Sequence, residues 1–594
     1  MKTSNLPIRG RPAAGTWLRH PILLGLIAGS LFLPPGPLPA DQFTRINAIR
    51  KAVSPDATWG CNWVDIDADN DVDLILMNDR DGYLGRKIIV LRNDGQCNFT
   101  QLTGEEAGPI AGRAAHWDFA SFGDFNNDGY PDGLVAGAEI DSLANILDAC
   151  QGGAGGRFAP FAGLLPFSDR IGHLALGDYD QDGWLDVFVG TSYMEFLLQS
   201  GLRPTASVRT NMLLRNLGGT RLEPVSAPPL AGEITDETQA AVWADPDGDG
   251  DPDLLVTLPA YTRSVRLYEN LGQGNFRRAE VTGLEVPEGQ PLVPAWMDFN
   301  NDGRLDLAVS VDGGQNMLFR NDGGHRFTPV PLDGTALQNR QPAWADYDND
   351  GWMDLVVSGG EDTPQTCQLW HNNGDGSFTR ITTEGLVNET GLFHAAAWAD
   401  IDNDGFMDVI LAGTGLNLLY RNNGNGNHWL KVELVGTGSN RSAIGAKVRA
   451  RASIGGREFT QLREITAGSR CQDDPRAHFG LGDALSVEML RIEWPSGIVQ
   501  EFSEVMVDQY IVITEPRRPH LQIVSLGSTR VEGWLEGDPD WVCTIESSTD
   551  LETWQATTYV MTQSDGRATW SDAVSGEDEA RFYRVQRLGS GFWP

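Results

Sequence analysis

The sequence predicts an all-β protein: a seven-bladed β-propeller followed by a small β-rich domain and a C-terminal β-sandwich-like module. Three observations lead there. An Asp-rich nonapeptide recurs seven times, at spacings of 48 to 67 residues. Between copies lie short apolar runs and Asn-x-Gly turn signals, enough for four strands per repeat. Repeats of about 40–50 residues with four strands each arrange as blades around an axis.

A chain of 594 residues exceeds a single core. Its composition divides it into residues 1–40, a signal peptide; 41–426, the propeller; 427–515, a second domain; and 520–594, a terminal module. The leader has a basic start (Lys2, Arg9, Arg11, Arg19), an apolar run from Ile22 to Leu33, and a Pro-rich end at Leu38-Pro39-Ala40. The run is short for a membrane span, though an uncleaved signal anchor is the alternative. Export predicts a secreted or cell-surface protein. Pro516-Arg517-Arg518-Pro519 reads as a linker.

The first nonapeptide carries Asp65, Asp67, Asp69, Asp71 and Asp73 at positions 1, 3, 5, 7 and 9. The later copies place Asp124, Asn126, Asp128, Tyr130 and Asp132; Asp178, Asp180, Asp182, Trp184 and Asp186; and Asp245, Asp247, Asp249, Asp251 and Asp253. The last three place Asp298, Asn300, Asp302, Arg304 and Asp306; Asp346, Asp348, Asp350, Trp352 and Asp354; and Asp400, Asp402, Asp404, Phe406 and Asp408. Alternating carboxylates in a tight turn converge on one point, which suits a hard cation. Calcium takes six to eight oxygens, and positions 1, 3, 5 and 9 with the backbone carbonyl of position 7 nearly fill that shell. Up to seven calcium ions are therefore expected. Position 6 is Gly in six copies and Asn70 in the first, as a left-handed turn requires. β-Formers such as Leu307-Ala308-Val309 follow the loop, which separates it from a helix–loop–helix calcium site.

Each blade's first strand runs into the loop and its second leaves it. The third ends in an Arg-Asn element, as in Leu91-Arg92-Asn93-Asp94-Gly95, and the fourth starts at an aromatic such as Phe99. Two residues before the loops stand Trp63, Phe122, Leu176, Trp243, Trp296, Trp344 and Trp398, bulky enough to pack between blades. The last repeat lacks a fourth strand, whereas Phe43-Thr44-Arg45-Ile46 duplicates Phe378-Thr379-Arg380-Ile381. The N-terminal segment is therefore expected to complete the seventh blade. Repeat two lacks the Arg-Asn element and runs through a Gly-rich stretch, 145–156; repeat three carries an insertion around 193–209. Irregular loops on a rigid ring are where specificity sits, with surface drift as the alternative.

The formal charge of −36 argues against nucleic acid or anionic membrane as partner. Divalent ions in loops holding 28 aspartates would offset part of it. Six cysteines are too scattered for a disulfide framework; Cys61 and Cys97 share a repeat and could pair, with buried thiols as the reading for the rest. Metalloprotease, serine-hydrolase and Walker motifs are missing, and metal-bound carboxylates do not serve as acid–base pairs. His116, His173 and His394 fall in first strands, as a channel-facing cluster or as structural histidines. No catalytic residue is assigned.

The repeats resemble the FG-GAP/VCBS repeats of integrin α-subunit propellers and secreted bacterial proteins. The following segment resembles the ASPIC/UnbV domain of the cartilage acidic protein family, through Asn427-His428-Trp429-Leu430-Lys431-Val432, Ser439-Asn440-Arg441, Ile444-Gly445-Ala446, the run from Asp474 to Gly482, and Trp494-Pro495-Ser496-Gly497. Arg470-Cys471 departs from that pattern, where relatives carry an aromatic and a Ser. The resemblance implies a calcium-stiffened propeller used for extracellular adhesion or ligand binding, without catalysis. Its partner would be an extracellular protein or glycan. A lectin-like polysaccharide binder and a polysaccharide lyase or hydrolase are the alternatives. Trp534, Trp541, Trp554 and Trp570 of the terminal module suit either a sugar face or a core.

Overall fold

A computed structural model describes residues 42–47, 49, 57–79, 87–138, 145–164, 171–191, 211–230, 238–258, 264–286, 289–334, 337–360, 362–415, 417–468, 471–517, 520–526, 530–537, 542–549, 551, 553–564, 566–573 and 581–587. The leader and the 193–209 insertion lie outside the described residues. No helix among them is long and apolar enough to cross a membrane.

The structure is all-β, and its repeats form seven four-stranded antiparallel units, those of repeats 5 and 6 joined into one eight-stranded sheet where Asp306–Gly314 pairs with Leu337–Ala345. Blade 1 runs Ala57–Val64, Asp73–Asp79, Ile89–Asn93, Phe99–Gln101. The first strands of blades 2 to 7 are His116–Gly123, Ile171–Gly177, Ala240–Ala244, Gln290–Met297, Leu337–Ala345 and Phe393–Ala399. Each packs on the next, and Phe393–Ala399 returns to pack on Ala57–Val64, which closes the ring. Blade 7 takes its outer strand from the N-terminal segment: Phe43–Ile46 pairs with Leu418–Asn422, Phe43 opposite Asn422. The Phe-Thr-Arg-Ile duplication thus marks one role at two places, since Phe378–Ile381 is the outer strand of blade 6.

The bulky residue before each loop is buried in every blade. Three of the tryptophans also reach the preceding blade, their indole N–H donating to Ala175 O from Trp243 (3.3 Å), Ala295 O from Trp344 (3.4 Å) and Ala343 O from Trp398 (3.3 Å).

The second domain is two sheets. In one, His428–Val435 lies between Ala477–Gly482 and, in parallel, Gln509–Thr514. The other orders Arg457–Glu464, Lys447–Ile454, Ser486–Glu493 and Val499–Met506. Its core is continuous with that of blades 2 and 3, through Phe125, Leu176, Leu185, Leu430 and Ile444 among others. The terminal module is a pair of three-stranded sheets around Val531, Leu535, Cys543, Ile545 and Trp570. Trp570 is therefore core, Trp534 is exposed, Trp554 lies under the Arg584 guanidinium at 4.3 Å, and Trp541 falls outside the described residues.

Candidate functional site

The seven Asp loops lie on one face of the ring, between first and second strands. Residues at position 6 have positive φ, from 76° at Asn70 to 99° at Gly250, the left-handed turn that Gly or Asn tolerates. Position 4 is left-handed as well: Asn127, Asn301, Asn349 and Asn403 have φ of 55–57°. Within each loop the position-1 carboxylate accepts backbone N–H bonds, as at Asp400 from Asp404 (3.0 Å) and Gly405 (3.0 Å). The position-5 carboxylate accepts the N–H of position 7, as Asp404 does from Phe406 (3.0 Å). These bonds curl the backbone so that side chains 1, 3 and 9 point inward.

Carboxylate oxygens converge within 4.8 Å at Asp65, Asp67 and Asp73 in blade 1 and at Asp178, Asp180 and Asp186 in blade 3. Blade 4 brings together Asp245, Asp247 and Asp249, and also Asp247, Asp253 and His325; blade 6 brings together Asp348, Asp354 and His371. Position 9 is buried in all seven loops. Burial and neighbouring anions push Asp73, Asp132 and Asp306 up to about 8, Asp178 to about 7, and Asp65 and Asp124 to about 6. Several of their oxygens, including Asp67 Oδ1, Asp180 Oδ1, Asp348 Oδ1, Asp186 Oδ2 and Asp253 Oδ2, are buried without a hydrogen-bond partner. Buried acceptors aimed at a common point, all of them oxygen in blades 1 and 3 and joined by a histidine nitrogen in blades 4 and 6, fit a divalent cation. The side chains at position 7 turn elsewhere, Trp352 onto Phe459 (5.3 Å) and Arg304 onto Asn321 O (2.8 Å), leaving that position its carbonyl.

In two loops an arginine of the same blade's third strand bridges two of the carboxylates. Arg215 bridges Asp180 (2.7 Å) and Asp182 (2.8 Å), and Arg421 bridges Asp402 (2.6 Å) and Asp404 (3.0 Å). In blades 3 and 7 the Arg of the Arg-Asn element thus meets positions 3 and 5 of its own loop, whereas in blades 1 and 5 Arg92 and Arg320 pair with Asp94 and Asp322 of the hairpin. In blade 6 the equivalent residue is His371, 3.2 Å from Asp354.

The Asn of that element was legible only as a turn, yet it joins blades. Its backbone N–H donates to the position-9 carboxylate of its own blade, as Asn422 does to Asp408 (2.6 Å). Its side-chain amide donates to the position-2 carbonyl of the preceding blade: Asn93 to Ile401, Asn216 to Phe125, Asn270 to Tyr179, Asn321 to Pro246, Asn372 to Phe299 and Asn422 to Tyr347, all at 2.7–2.8 Å. Position 4 links in the other direction, Asn349 donating to Gly405 O (3.0 Å) and Asn301 to Gly351 O (3.0 Å).

The second domain sits on this same face. Lys431 Nζ lies 2.7 Å from Asp400, fully buried; Lys447 pairs with Asp245; and Arg476 lies 3.3 Å from Asp65. Asp124 N–H donates to Ser442 (2.8 Å), and Arg463 is buried between the charges of Asp298 and Asp346. Gly480 comes so close to blade 6 that a Cβ there would meet Asp346 at 2.1 Å, so glycine at this position permits the domain to dock. His478 bonds Gly405 O (3.0 Å) of loop 7, and burial lowers its pKa to about 4. His428 pairs within the domain with Asp508 (2.8 Å). Of the first-strand histidines, His394 stacks on Trp59 (4.2 Å) and His173 meets Phe119 edge-on (5.4 Å), both buried as structural residues. A cavity of about 310 Å³ opens between loops 1 and 2 and the second domain, with Arg441, Arg476, Glu433 and Tyr130 on its wall.

With seven repeats around a ring and this domain seated on their loops, the matches to known proteins fall in register. An FG-GAP-like repeat model matches residues 245–309, 298–357 and 346–411, and an ASPIC and UnbV model matches residues 436–520. The chain carries FG-GAP-like repeats and an ASPIC and UnbV domain. Cartilage acidic protein 1 of Mus musculus is 29% identical over 253 residues, 39% of this chain and 38% of the relative. The Homo sapiens protein of that name is 28% identical over 253 residues, 39% of this chain and 37% of the relative. The chain thus spans under two fifths of the length of these relatives. Among solved structures, BBS1N in complex with ARL6DN superposes with a TM-score of 0.37 at 11% identity, over 62% of this chain and 94% of that one. Rhamnogalacturonan lyase YesW does so with 0.35 at 14%, over 61% and 71%.

Proposed function

We propose that this protein is an exported propeller, stiffened by structural calcium, that works as an extracellular binding or scaffold module and not as an enzyme. The observation that carries the reading is the convergence of carboxylates from positions 1, 3 and 9, with buried oxygens that lack a hydrogen-bond donor. The FG-GAP-like repeats and the likeness to cartilage acidic protein 1 support it. Calcium here braces the ring and does not bridge to a ligand, because the ASPIC and UnbV domain covers the loop face. Its partner, an extracellular protein or glycan, meets another surface.

Thermal unfolding in EDTA and in graded calcium, with metal content measured alongside, tests the calcium. A ligand that binds only the folded state raises stability by RT ln(1 + [L]/Kd), so melting should rise steadily with free calcium. No shift and no bound metal would reduce the loops to turns. Binding to a glycan array separates a lectin from a protein-binding module. Turnover on a polysaccharide panel would overturn the non-enzymatic reading.

A further inference from the structure

We infer that Cys61 and Cys471 form a disulfide that ties blade 1 to the ASPIC and UnbV domain when the chain folds in an oxidising compartment. Cys61 lies in the first strand of blade 1, Ala57–Val64, and Cys471 in the loop that the second domain sends into the ring. The two backbones run side by side. Gln472 N–H donates to Cys61 O (3.1 Å), and Trp63 N–H donates to Gln472 O (3.0 Å). Asn62 and Gln472 form a parallel bridge. One residue back along both segments, Cys61 and Cys471 are lateral neighbours with side chains on the same side. Neighbouring strands lie about 4.8 Å apart, within the roughly 4.4–6.8 Å between Cα atoms that a disulfide spans.

The side chains agree with the backbone. Cys61 is fully buried and Cys471 is 6% exposed; both belong to one apolar cluster and the two thiols are hydrogen-bonded. Cys97, the partner that repeat membership suggested for Cys61, sits at the outer hairpin of the blade, beside the charges of Asp402 and Arg421 of blade 7. All six cysteines are thiols in the structure.

Closing the bond removes one proton and one electron from each sulfur. The two electrons pass by thiol–disulfide exchange to an oxidant disulfide, whose own S–S bond breaks to give two thiols. The attacking species is a thiolate, and burial raises the Cys61 thiol well above its ordinary pKa. Exchange therefore takes place during folding, before blade 1 and the second domain close over the pair.

The inference rests on the export reading for its compartment, and two arms separate the two. In the first, the purified chain is reduced, denatured and refolded with reduced and oxidised glutathione, then denatured and alkylated. Four of the six thiols should react, and a non-reducing digest should contain a linked peptide with Cys61 and Cys471. Cys471→Ser should return Cys61 to the alkylated pool. Dithiothreitol should lower the melting temperature of the parent by about 3–5 °C and leave that variant unchanged. Six reactive thiols after refolding, or Cys61 bonded to Cys97, overturn the inference. In the second arm the chain is expressed with its leader and fractionated. Exported protein with Cys61 and Cys471 both free also overturns it, whereas retention inside the cell overturns the export reading and leaves the refolding result to decide the bond.

Discussion

Two junctions of the same ring are built differently. Between blades 6 and 7, Asn422 caps Tyr347 O, the Trp398 indole caps Ala343 O, and Asn349 reaches forward to Gly405 O. Between blades 1 and 2 the two amide links are gone. Gly152 stands where the other blades have Asn, keeping the backbone bond to Asp132 (2.8 Å) but with no side chain to reach loop 1. Position 4 of loop 1 is Ala68, which has nothing to donate to blade 2. The second domain bridges the seam instead: Gln472 exchanges backbone bonds with Cys61 and Trp63 of blade 1, and its Oε1 accepts the N–H of Phe122 of blade 2 (3.4 Å). A ring of repeats tolerates one deficient seam when a neighbouring domain fills it.

The largest expected effect breaks the regular side. Deleting residues 41–47 strips the outer strand from blade 7 and removes Phe43, uncovering the Tyr347 (5.6 Å) and Trp398 (6.0 Å) rings on which it packs. Melting should fall by about 10 °C or more, since a buried aromatic side chain alone is worth about 3–5 kcal/mol. An unchanged melting curve would show that the ring closes without this strand.

Asn422→Ala comes next. It leaves the carbonyls of Tyr347 and Met407 without their donor in a buried site, a loss of about 2–3 kcal/mol by denaturant titration. The reverse repair at the weak seam should fail: in Gly152→Asn a Cβ would meet Pro131 O at 2.1 Å, so stability should drop, not rise. Gln472→Ala should cost about 1 kcal/mol and, if the seam depends on the second domain, should raise hydrogen exchange in blades 1 and 2 ahead of blades 6 and 7.

The smallest effect is with pH. The loop carboxylates have raised pKa values in the ion-free fold, so the folded chain binds more protons than the unfolded one. Their contribution is complete below the ordinary carboxylate value near 3.8 and is lost as pH rises through about 6 for Asp65 and about 8 for Asp73. In EDTA, melting should decline from pH 5 to pH 8. Calcium should flatten that slope by displacing the protons. A slope equal in EDTA and in calcium would count against ions in the loops.

What the sequence made legible was local. Each loop's side chains lie within nine residues, and the strand that closes blade 7 announced itself by repeating Phe378–Ile381. What it concealed acts at a distance. Asn422 reads as a hairpin residue because the carbonyl it caps is 75 positions away. Lys447 and Arg476 look like ordinary strand and loop cations, although they meet loop aspartates 202 and 411 positions upstream. Lys431 likewise reads as an ordinary strand cation, although it meets the loop carboxylate of Asp400.

The closure of blade 7 also sets an order of events. Thr44 meets Asn423, 379 positions later, so a strand made before the other six blades is placed only after they are complete. Until residues 418–422 arrive, Phe43–Ile46 has no sheet to join, and blade 7 has an open edge of the kind that recruits other chains. A nascent chain of this design must be kept solitary for most of its length, and a slow step late in its assembly belongs to the ring snapping shut.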